Sequence, residues 1–357
     1  MVTYYFIYCS VPLIYYFSSL ISKFLKPYNL KKIFLNVTLV ILFVFSAFRA
    51  LSVGTDTITY FNIFEWMNGL EMPVSEMAKE AHIEYGYIFI NKVISSFGGN
   101  FRVVMILVSF ITLLGIGRYI LYFSSNYLTS LIIFIGFTYY FLSFNISRQF
   151  LAISIDLFSL SFLLKKEKWK SLTFILIAGL IHNSGFLFIV LWLLSQVNIS
   201  KIKFIFLGIF SVIFSVPICK FIENYMGANV RYNVILNSTS SKGLFGIVYS
   251  LALLLVFILY VIDFNFSSNN IKDRLFLYSF LIITFINIME IFFPFLGRIR
   301  YTFEVLIIAI IPNVIDEFRL KRYYPIINII IFLLGVIIMY KLIPNNSFYG
   351  ILPYKAF

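Results

Sequence analysis

About ten apolar runs of membrane-crossing length follow one another along this chain, separated by short polar stretches. A helix that spans a bilayer needs ~20 mostly apolar residues. The runs cover 2–22, 33–51, 103–123, 127–144, 147–164, 204–222, 247–264, 275–293, 301–315 and 325–342. Of 357 residues, 61% are hydrophobic and 12% charged. Soluble domains carry about 25% charged residues, so no soluble core hides this much apolar surface. The expected fold is an all-α polytopic membrane protein with about ten transmembrane helices, built as one integral domain over 1–357.

Net charge is +13, a balance that in a soluble chain would point to nucleic acid. Here the cations sit in short clusters between apolar runs: Lys23, Lys26, Lys31 and Lys32; Lys165, Lys166, Lys168 and Lys170; Lys201 and Lys203; Lys272 and Arg274; Arg319, Lys321 and Arg322. That distribution marks cytoplasmic loops, and no nucleic-acid partner is expected. The run 2–22 lacks a basic n-region and a small-residue cleavage site, and its positive charges follow it. It reads as a retained helix with its N-terminus outside. Cys9 and Cys219 both lie in apolar runs, which excludes a disulfide framework or a thiol-based metal site.

Three segments depart from the simple pattern. The stretch 171–197 is apolar for longer than one span but is interrupted by His182-Asn183-Ser184-Gly185. A re-entrant hairpin turning at His182 keeps every basic cluster on one side, whereas one long helix inverts the later ones. The hairpin is preferred, since irregular backbone at membrane depth survives where protein or a wet cavity surrounds it. The loop 52–100 reads as external, partly helical, with an amphipathic piece at 85–97 too short to span. A second external loop runs over 223–246.

With the N-terminus outside, the polar residues that violate hydropathy gather at one face. They are Arg49 and Asp56, then Asn145, Arg148 and Gln149, then His182, then Glu290, Arg298 and Arg300. Intramembrane ionisable groups usually face a cavity and find partners. Arg presents a planar fork suited to phosphate oxygens, and Arg148 opens a helix, where free N–H groups favour an anion. The bland alternative is that Arg49, Arg148 and Arg298 snorkel to lipid headgroups. Asp56, in "GTDTITYF", equally fits a helix cap. His182 suits proton transfer near neutral pH, or packing through a hydrogen bond. No D-x-D pair is present, so neither a metal nor a cofactor is called for, and a lipid-borne substrate is expected.

Five stretches, in this order, resemble the EpsG family of Wzy-type bacterial polysaccharide polymerases: "FRALSVGTDTITYFNIFE", "EYGYIFINKVISSFGGNF", "FNISRQFLAISI", "LIAGLIHNSGFLFI" and "LGRIRYTFEVLIIAIIP" with the terminal "LPYKAF". The resemblance implies a membrane-embedded glycosyltransferase of the bacterial cytoplasmic membrane with its site toward the outer face. It would transfer a glycan from polyprenyl pyrophosphate to the non-reducing end of another lipid-linked repeat unit. By position, the family's arginines correspond to Arg49, Arg148 and Arg298, its acidic loop residue to Asp56 and its histidine to His182. The expected roles are pyrophosphate binding for the three arginines, proton transfer for Asp56 or His182, and substrate contacts for Gln149, Tyr60, Glu84, Arg300 and Asn145. Implied partners are the lipid-linked oligosaccharide, the bilayer, a flippase and a chain-length regulator. A flippase for the same lipid, or another lipid-linked glycosyl or acyl transferase, stays open as an alternative.

Overall fold

The computed structural model describes residues 1–21, 30–68, 70–228, 243–266, 270–344 and 350–356. Lys23 and Lys26, and 229–242 of the second expected external loop, lie outside the described residues. All regular structure among the described residues is helical. The chain divides into two compact units, Met1–Ile189 with Ile308–Phe357, and Val190–Ile307.

In the first unit, α1 (Val2–Ile21) and α2 (Leu30–Ala47) precede three short helices, α3 (Thr57–Met67), α4 (Val74–Glu80) and α5 (Tyr85–Ser96). These three occupy the segment expected to be partly helical. On α5 the side chains of Tyr85, Phe89 and Val93, spaced four apart, are exposed and form one apolar stripe along the helix. Then come α6 (Phe101–Phe123), α7 (Tyr127–Gly136), α8 (Tyr139–Asn145), α9 (Ser147–Leu164) and α10 (Lys168–Ile181).

Helices α6 and α9 are buried along 61% and 72% of their apolar stretch, against 17% for the helix Lys321–Leu342, so α6 and α9 form the centre of this unit. Small polar residues at Ser109, Thr112, Ser154, Ser159 and Ser161 are buried there and allow close helix approach. Beneath the short helices, Tyr60, Phe64, Met77, Tyr87 and Ile88 share a buried cluster with Met105 of α6, Ala152 of α9 and Ile181 of α10. That packing fixes the 52–100 segment to the helix bundle.

The helix from Lys168 ends at Ile181, His182 is extended with φ −153° and ψ 128°, and Asn183–Leu187 forms one tight 3-10 turn. Helix α11 (Phe188–Ser195) follows. The second unit also contains α12 (Lys201–Ala228), α13 (Leu244–Asp263), α14 (Ile271–Met289) and α15 (Leu296–Glu304); α16 (Ile307–Glu317) leads back to the first unit and α17 (Tyr324–Leu342) completes it.

Among the described residues five helices are long and apolar enough to cross a membrane, six if a bent pair counts as one span. The chain is therefore a multi-pass helical membrane protein, with fewer unambiguous spans than the apolar runs imply. The run 127–144 is that bent pair: α7 and α8 meet at 47°, with Thr138 between them in the left-handed region at φ 67°. The run 301–315 breaks between Glu304 and Ile307 into helices of 9 and 11 residues, each too short to span alone. Helix α14 opens on Lys272-Asp273-Arg274, and these charges dilute its apolar stretch.

Candidate functional site

The first turn of α9 carries Arg148, whose Nη1 lies 2.5 Å from Glu84 Oε2. Glu84 stands just before α5 but does not cap it. Its other carboxylate oxygen accepts the Asn183 backbone N–H at 3.3 Å. One carboxylate thus joins the start of α5, the start of α9 and the turn after α10. Gly86 makes this closeness possible, because a Cβ there would stand 2.7 Å from the Leu180 carbonyl oxygen.

The Arg148 guanidinium also lies over the rings of Tyr60 and Tyr87, 5.8 and 6.0 Å from their centroids. Burial raises both phenols above their ordinary pKa, with Arg148 pulling the other way. They therefore stay neutral at physiological pH and are not bases. Glu84→Ala would leave the partly buried Arg148 without its carboxylate; since the pair is 12–16% exposed, the expected loss is about 1–2 kcal/mol. Thermal unfolding in detergent checks this.

The loop before α3 reaches the same place. Asn145 Oδ1 accepts the Asp56 backbone N–H at 3.2 Å and the Thr55 hydroxyl. Asp56 occupies the N-cap position of α3, yet its carboxylate makes no cap hydrogen bond. It is felt electrostatically by Tyr60, as are Arg148 and Glu84. Gly54 turns the loop with φ 98°, and a Cβ there would stand 2.5 Å from the Phe144 carbonyl oxygen. Gly54→Ala should cost about 1–3 kcal/mol in backbone strain and lower the unfolding temperature.

Arg49 is 4% exposed. Its Nη1 donates to the Ser46 carbonyl at 2.5 Å and its guanidinium lies 4.9 Å from the Phe144 ring centroid. Among the described residues its Nε has no hydrogen-bond partner and no carboxylate pairs with it. A buried cation without a carboxylate is costly and is suited to receive an anion.

His182 Nδ1 accepts the Ser184 backbone N–H at 3.2 Å and lies 2.8 Å from the Ser184 hydroxyl. The neutral ring accordingly carries its proton on Nε2. Gln149 is buried at 6% exposure in the first turn of α9.

Of the expected residues, then, Arg49, Asp56, Tyr60, Glu84, Asn145 and Arg148 converge in the first unit, with His182 beside the Asn183 amide. Arg298 and Arg300 belong to the second unit, where Arg298 is exposed. Arg300 Nε lies 2.9 Å from Glu290 and its Nη1 pairs with Glu304. Reading the sequence missed Tyr87, Thr55 and the Asn183 amide. Tyr87 follows Glu84 by three residues, almost one helical turn, and that spacing was the available signal.

The pattern of the EpsG family matches residues 32–356, a range that takes in every residue of this cluster. No curated protein and no solved structure matches the chain. With the helical membrane architecture and nearly the whole length accounted for, the chain belongs to the EpsG family, a family associated with exopolysaccharide biosynthesis.

Proposed function

We propose that the protein is a polysaccharide repeat-unit polymerase of the bacterial cytoplasmic membrane, with its site toward the outer face. It transfers a glycan from polyprenyl pyrophosphate to the non-reducing end of another lipid-linked repeat unit. The observation that carries this reading is that two arginines act electrostatically on the same buried tyrosine, Tyr87. Among the described residues Arg49 is buried without an acid partner, and Arg148 is held by Glu84 over two tyrosines.

In the proposed reaction an acceptor hydroxyl oxygen attacks the anomeric carbon of the donor sugar. The bond from that carbon to the phosphate oxygen breaks, and polyprenyl pyrophosphate leaves with the electron pair. Arg148 and Arg49 stabilise the charge that grows on it, a preorganised electrostatic contribution; Arg298 is kept as a third arginine on the strength of the family resemblance. The hydroxyl proton passes to Asp56. His182 is the weaker base candidate, because its neutral ring presents Nε2–H and so donates to an oxygen. Tyr60, Asn145 and Gln149 orient the sugars.

Cells lacking the protein test this reading. Lipid-linked single repeat units should accumulate on the outer face of the membrane. Accumulation on the inner face would instead identify a flippase.

A further inference from the structure

Residues 350–356 run antiparallel to the segment that carries Arg49 and leads to Asp56. The Ala50 N–H donates to the Lys355 carbonyl at 2.8 Å and the Gly54 N–H to the Gly350 carbonyl at 2.9 Å, while Arg49 bridges to Ala356. Tyr354 fastens this pairing. Its hydroxyl donates to the Phe45 carbonyl at 3.1 Å, and its ring meets Tyr4 and Phe45 edge-on, with centroids 5.9 and 5.6 Å apart. Ile351 is fully buried and its carbonyl accepts the Tyr4 hydroxyl at 2.5 Å.

The loop 50–56 has no regular structure to hold it. Asn145 clasps it at Thr55 and Asp56, and 350–356 clasps it at Ala50 and Gly54. Take the second clasp away and the Ala50 and Gly54 N–H groups, on either side of the buried Val53, lose their acceptors; for the buried Gly54 amide that is costly. Arg49 would then lose the backbone pairing that fixes its position.

We infer that 350–356 is a positioning element of the transferase site, setting Arg49 and the 50–56 loop, with Tyr354 as its fastening residue. The catalytic consequence rests on the polymerase reading; the positioning of the loop does not.

Val53 is fully buried and serves as a reporter. Val53→Cys is made in a chain carrying Cys9→Ser and Cys219→Ser, and its labelling by a small maleimide is timed in detergent. Tyr354→Ala should raise the labelling rate at least tenfold, whereas Tyr354→Phe, which keeps the ring, should stay within threefold of the parent. In vesicles supplied with polyprenyl-pyrophosphate-linked repeat units, Tyr354→Ala should lower turnover at least tenfold. In an Arg49→Ala background the same change should cost less than it does in the parent, because part of its effect passes through Arg49. If Tyr354→Ala does not reach the membrane, Tyr354→Leu replaces it with the same expectations. Equal labelling rates, or losses that multiply in the double variant, overturn the inference. If the parent forms no polymer but labelling still responds to Tyr354, the polymerase reading fails and the positioning of the loop stands.

Discussion

Arg148→Ala is expected to stop chain growth, leaving single repeat units on the carrier where the parent protein makes a ladder. The guanidinium is already oriented by Glu84 at 2.5 Å and flanked by Tyr60 and Tyr87, so it needs little reorganisation when negative charge develops on the leaving pyrophosphate. Removing one such preorganised donor typically costs ~3 kcal/mol, or at least 10²-fold in rate. Arg148→Lys should recover little of this, because an ammonium cannot hold Glu84 and a phosphate oxygen with one planar fork. Gel analysis of extracted lipid-linked glycan, at matched membrane levels, reads both variants. A normal ladder from Arg148→Ala would remove Arg148 from the mechanism.

Arg300→Ala is expected to act on folding first. This guanidinium already meets two carboxylates, Glu290 and Glu304, whose side chains are 10% and 2% exposed. Deleting it removes the cation that both buried acids face, and breaking a buried pair by removing one partner costs about 3–5 kcal/mol. The amount of folded protein in membranes should fall sharply. Arg300→Ala with Glu304→Gln should recover part of it, since one uncompensated charge is gone. A substrate-binding role predicts the reverse pattern: normal protein levels with impaired turnover. The geometry favours the structural role.

Much of the candidate cluster is legible in the sequence because hydropathy marks its violations. An arginine and a glutamine opening an apolar helix, a histidine interrupting another, and an aspartate after a glycine turn all stand out against their surroundings. What could not be read is which of them meet. Glu84 and Arg148 are 64 residues apart, and only the buried cluster beneath α3 and α5 brings them together. The role of 350–356 was hidden for the same reason: its hydrogen bonds go to a loop about 300 residues away, and no local pattern encodes that pairing. The run 301–315 misled in the opposite way. It is apolar enough to read as one span, but composition says nothing of a break after Glu304, the residue whose carboxylate holds Arg300. The choice between Asp56 and His182, balanced on residue type alone, tilts toward Asp56 once the Ser184 amide is seen on His182 Nδ1.

The most direct test places the purified protein in vesicles with polyprenyl-pyrophosphate-linked repeat units as the sole substrate and follows glycan length and released carrier together. The account predicts a ladder of repeat units, one polyprenyl pyrophosphate released per new glycosidic bond, and neither product from Arg148→Ala. Movement of intact lipid-linked units across the bilayer, with no new glycosidic bond and no released carrier, would contradict it.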